Sequence, residues 1–96
     1  MEGDSVHVRE VTVHLEAGLH MTPLSQIVQL VQKYNCKMQI HKGDKSADAT
    51  SMLDLMTLGA ERGTRLSIHA TGDQAEPALD AVMRLFEANF ETGLSH

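Results

Sequence analysis

The sequence predicts an α+β fold: a four-stranded antiparallel sheet with three helices on one face. Three observations predict it. Four short runs alternate apolar and polar residues, and two long stretches and one short one carry apolar residues at helical spacing. The elements follow the order strand, helix, strand, strand, short helix, strand, helix. Each alternating strand keeps one polar side, so helices need cover only one face of the sheet. With aromatic residues at 3% of the chain and no Trp, the core is drawn from Val, Leu, Ile, Met and Ala.

Val11, Val13 and Leu15 alternate with Thr12 and His14 as the first strand. Val6 and Val8 have the opposite parity, which predicts either an extension through a bulge or a loose lead-in. Leu24, Ile27, Val28 and Val31 then fall on one side of a helix whose other side carries Gln26, Gln29, Gln32 and Lys33. Pro23 suits its first turn, where a missing N–H is harmless, so His20 or Met21 sits near the N-cap.

Cys36, Met38 and Ile40 alternate with Lys37, Gln39 and His41 in the second strand. Gly43-Asp44 supplies the positive φ of a two-residue hairpin turn, and a third strand returns over residues 45–49. Ser51 and Asp54 are spaced as an acidic capping box at the start of a short helix carrying Met52, Leu53, Leu55 and Met56. Gly59 and Gly63 bracket a turn. Leu66, Ile68 and Ala70 alternate with Arg65, Ser67 and His69 in the fourth strand. A last helix follows Thr71-Gly72-Asp73, with Glu76 and Pro77 in its first turn and Leu79, Val82, Met83, Phe86 and Phe90 on one face.

A chain of 96 residues makes one domain, here 1–96 with a core over about 6–90 and polar ends. Its net charge of −5, from 8 Lys and Arg against 13 Asp and Glu, argues against nucleic acid as a partner. Cys36 is the only cysteine, so no internal disulfide forms, and its alternation with Met38 and Ile40 makes it a core residue. No secretory leader or long apolar run is present, which predicts a cytoplasmic protein with no membrane insertion, a monomer by default. The six histidines invite a metal reading, but they lack close pairing with Cys, Asp or Glu. No metal and no cofactor are expected. His14, His41 and His69 are expected on the solvent side of the sheet, on different strands.

Two ordered motifs remain. Gly18, Leu19, His20 and Pro23 form G-L-H-x-x-P, and Lys45, Ser46, Ser51, Leu55, Leu58 and Gly59 recur in order further on, with Gly63 four residues later. Together with the element string they resemble the HPr family, the histidine-containing phosphocarriers of the bacterial sugar phosphotransferase system, over roughly residues 11–90. The resemblance implies an open-faced β-sandwich. It implies that His20 accepts a phosphoryl group on Nδ1 from phosphorylated Enzyme I, ultimately from phosphoenolpyruvate, and passes it to an Enzyme IIA-type protein. Such a chain is a phosphorylated carrier and not an enzyme. Ser51 aligns with the serine that HPr kinase phosphorylates in many members.

The physics of the motif is consistent with that role. A neutral imidazole is a good nucleophile toward phosphorus, and the free N–H groups of Met21 and Thr22 at the helix start can donate to phosphoryl oxygens. The likeness also breaks in two places. Family members usually carry an arginine where this chain has Thr22, so the phosphate contact here is a hydroxyl without charge. They also commonly place basic residues where this chain has Gln29, Gln32, Thr50 and Asp54, which leaves an apolar docking patch of Leu24, Met52, Leu53 and Met56. Two readings follow: a phosphocarrier in the sugar pathway, or a regulatory paralogue that works by docking and by phosphorylation of Ser51.

Overall fold

The computed structural model describes residues 5–91. Along the chain it places β1 (His7–Thr12), α1 (Met21–Val31), β2 (Lys37–Lys42), β3 (Lys45–Asp48), α2 (Met52–Met56), β4 (Arg65–Thr71) and α3 (Ala75–Glu87). The strands form one antiparallel sheet in the order β1-β4-β2-β3. Inward positions of the two central strands, Met38, Ile40, Leu66 and Ile68, meet Leu24, Ile27, Val31, Leu55, Leu79 and Val82 from the helices, and all ten are buried. Burying these aliphatic side chains is the main favourable contribution to folding, at about 1.5–3 kcal/mol for each large one.

Local chemistry sets the ends of the elements. Gly43 takes φ +59° in the two-residue turn that pairs Lys42 with Lys45, as the sequence predicts. Lys42 has the inward parity of Ile40, yet it ends β2 at the hairpin turn, and its Nζ donates to the carbonyls of Leu58 and Gly59, both at 2.9 Å. Those carbonyls follow the C-terminus of α2, where a cation is favoured. Lys42→Met, which keeps the aliphatic stem and removes the donors, is expected to lower stability by about 1 kcal/mol in a denaturant titration.

Three expectations need correcting. β1 runs from His7 to Thr12 and not from Val11 to Leu15, and its register with β4 is unbroken from His7↔Ala70 to Thr12↔Arg65, so there is no bulge. Val6 and Val8 are exposed and Val8 has outward parity. The inward positions at its start are the polar His7 and Arg9, and Arg9 comes within 3.9 Å of Asp80 in α3. The last helix stops at Glu87. Phe90 is buried, but it is reached through positive φ at Asn89 (54°) and Phe90 (63°), with its N–H on the Leu85 carbonyl at 2.7 Å and its ring edge-on to Phe86. Cys36 precedes β2 and is only half-buried, and burial pushes its thiol pKa up, away from thiolate chemistry.

Candidate functional site

The segment leading to His20 is pinned at both ends. Val13 exchanges backbone hydrogen bonds with the turn after α2: its N–H donates to Thr64 at 2.9 Å, and its carbonyl accepts from Gly63 at 2.8 Å. Gly18 turns the chain at φ +75°, and Leu19, buried, donates its N–H to the Ala60 carbonyl at 2.8 Å. An ideal Cβ on Gly18 would stand 2.7 Å from the Ala60 oxygen and 2.9 Å from the Glu61 Cα. Only glycine fits there.

His20 is the N-cap of α1, with extended backbone (φ −89°, ψ −167°) and an exposed side chain that makes no capping hydrogen bond. Its carbonyl receives the first intrahelical bond, from Leu24 at 3.1 Å. Met21 and Thr22 therefore occupy the first two helical positions, whose N–H groups have no partner within a helix, and Pro23 has none to offer. No acidic residue stands in this first turn. The terminus is a ready anion site beside a free imidazole. Thr22 is exposed at the same mouth.

α2 lies against α1. Its N-cap is Ser51, whose Oγ accepts from the Asp54 N–H at 3.2 Å, half of the expected capping box. The Asp54 carboxylate turns instead to the Asp48 N–H, at 3.3 Å. Asp48 in turn accepts from the Thr50 hydroxyl at 2.7 Å and the Thr50 N–H at 2.8 Å. The hydroxyl first, then the amide, hold the Asp48 carboxyl below the usual carboxylate range against a smaller opposing push from burial. Two carboxylates thus stand at the start of this helix.

Of the apolar patch expected beside His20, Leu53 (77% exposed) and Met56 (49%) face solvent, and Met52 is half-buried. Leu24 does not belong to it. It is 3% exposed and sits in the core with Ile27 and Val31, as its place in the helical stripe requires. Met21, 62% exposed, was missed as a side chain. Its spacing puts it in phase with Leu24 and Val28, three and seven residues on, and only its place in the first turn, at the open end of the helix, leaves it exposed. Across α1 and α2 together the only charged side chain is Asp54, so the two helices themselves bring no cation to this patch.

Among the described residues no group of three or more His, Cys, Asp or Glu is placed to hold a metal ion. None of their helices is long and apolar enough to cross a membrane.

A histidine that projects from a helix mouth lined with unpaired amides is suited to carry a transferable anion, the chemistry of a small histidine phosphocarrier. Residues 7–88 match the family described as the PTS HPr component phosphorylation site, and the chain belongs to the HPr family. It is 31% identical to the phosphocarrier protein HPr of Pseudomonas aeruginosa, over 88% of this chain and 94% of that one. It is also 31% identical to the phosphocarrier protein NPr of Shewanella violacea, over 86% and 91%. Among solved structures, HPr-C-His from Thermoanaerobacter tengcongensis superposes with a TM-score of 0.84 at 28% identity, over 88% of this chain and 94% of that one.

Proposed function

We propose that His20 accepts a phosphoryl group from phosphorylated Enzyme I and yields it to an Enzyme IIA-type acceptor. The observation that carries this reading is the exposed, uncapped His20 ring at the N-cap of an eleven-residue helix. The imidazole lone pair forms the new N–P bond while the donor's bond to phosphorus breaks. The Met21 and Thr22 N–H groups, with the Thr22 hydroxyl, donate to the phosphoryl oxygens as charge moves onto this protein. Little else is asked of the carrier, because phosphoryl transfer needs chiefly in-line placement and charge stabilisation. Met21, Leu53 and Met56 supply an apolar surface on which the donor and the acceptor dock in turn.

Relatives bear both the HPr and the NPr name, so the proposal concerns the relay step shared by both. The regulatory reading through Ser51 has weaker support. A phosphate there would stand against Asp54 and Asp48, and like charge opposes it.

Incubation with Enzyme I and labelled phosphoenolpyruvate tests the relay. Acid-labile label is expected on His20 and absent from His20→Ala. Label on another residue, or none with Enzyme I from several sources, would overturn the assignment.

A further inference from the structure

The face of the sheet that the helices leave open brings together two histidines that sequence spacing keeps apart. In the β2–β4 register, Gln39 faces His69 and His41 faces Ser67, so the two histidines are diagonal neighbours on one surface. Their ring centroids are 4.1 Å apart and the planes are inclined by 37°. Both residues are half-buried. Ser67 Oγ lies 2.8 Å from His69 Nε2. Beside the pair is a hollow of about 320 Å³ lined by Val6, Lys37, Gln39, His41, His69 and Thr71.

We propose that His41 and His69 form a two-imidazole chelate for a divalent transition ion of the copper class, with water filling its other positions. Two imidazoles whose nitrogens each stand about 2.0 Å from one ion hold their ring centroids roughly 4.5–5 Å apart, so rings now 4.1 Å apart and tilted by 37° reach that arrangement by splaying through side-chain rotation. When Nε2–H of His69 donates to Ser67, Nδ1 keeps its lone pair for the metal. An oxygen partner on the far nitrogen is the usual way a ligating histidine is oriented. The donor count selects the ion. Zinc favours four ligands, mostly from protein, whereas two nitrogens plus water suit the tetragonal preference of Cu²⁺, which also heads the affinity order for such sites. Glu10, on the same face, is engaged with Arg65 at 2.8 Å and is not needed as a ligand. Lys37 opposes a cation, which sets the affinity below that of a closed metal centre.

The test is titration of Cu²⁺ into the full chain, followed by ligand-field absorbance and by the histidine ring-proton resonances. Saturable uptake of one ion per chain is expected, broadening His41 and His69. His41→Asn and His69→Asn should each weaken it at least about tenfold, and Ser67→Ala by about tenfold. His14→Asn, an exposed histidine outside the pair, should leave it unchanged, and Zn²⁺ should bind more weakly than Cu²⁺. All four substitutions are outside the core, and thermal melts of the metal-free variants verify folding. An affinity that either His41→Asn or His69→Asn leaves unchanged, or no saturable uptake, overturns the site.

Discussion

Thr22→Arg is expected to raise the rate of phosphoryl transfer to His20 by about tenfold to hundredfold. Thr22 is exposed at the second position of α1, beside the exposed His20 ring proposed as the phosphoacceptor. On the proposed relay, an incoming dianion meets backbone N–H groups and one neutral hydroxyl in the native chain. A guanidinium adds a charge-assisted, two-pronged contact worth about 1.5–3 kcal/mol, and each 1.36 kcal/mol removed from the barrier is about tenfold in rate. Rapid-quench measurement of acid-labile phosphate reads the change. Added charge also draws an acidic donor surface, so Gln29→Arg, exposed on the same helix but away from its mouth, serves as the comparison. If the two variants accelerate transfer equally, the gain is steering, and Thr22 is not a phosphate contact.

Gly18→Ala is expected to destabilise the fold by about 2–5 kcal/mol. A side chain at φ +75° carries the left-handed penalty of about 1–2 kcal/mol. Its Cβ would also press on backbone at Ala60 and Glu61, at 2.7 and 2.9 Å, and overpacking adds about 1–3 kcal/mol. In a domain of this size that lowers Tm by at least about 10 °C. Gly43→Ala isolates the first contribution, because its φ is +59° and nothing lies within 4 Å of the new Cβ. A Gly18→Ala loss no larger than that of Gly43→Ala would show that the chain at Ala60 yields, and that the approach does not hold His20 in place.

Most of the fold was legible because its signals are local. The Gly43 turn, the Ser51 cap and the alternation of β2 and β4 each depend on neighbours within a few residues. β1 departs from its sequence pattern for a tertiary reason. Its inward positions at the start are the polar His7 and Arg9, the latter paired with Asp80 of α3, so the apolar alternation breaks where the strand is continuous. Phe90 shows the converse. It falls in phase with the apolar face of α3, yet the chain brings it inward through two residues of positive φ, and periodicity cannot distinguish the two routes. At the candidate site, the N-cap position of His20 followed from Pro23. The burial of Leu24 follows from its spacing with Ile27 and Val31, and the likeness that places it in a docking patch does not outweigh that periodicity. The approach of His41 to His69 had no local signal at all, since it arises from the pairing of strands separated by β3 and α2.

The bond from Leu19 to Ala60 spans 41 positions of the chain, from 19 to 60, and that between Val13 and Thr64 spans 51, from 13 to 64. During synthesis, therefore, α1 emerges from the ribosome long before the segment that gives its threshold a shape. A nascent polypeptide halted short of Thr64 would display the histidine on an unanchored tether, with no fixed orientation until the second half of the molecule had been made.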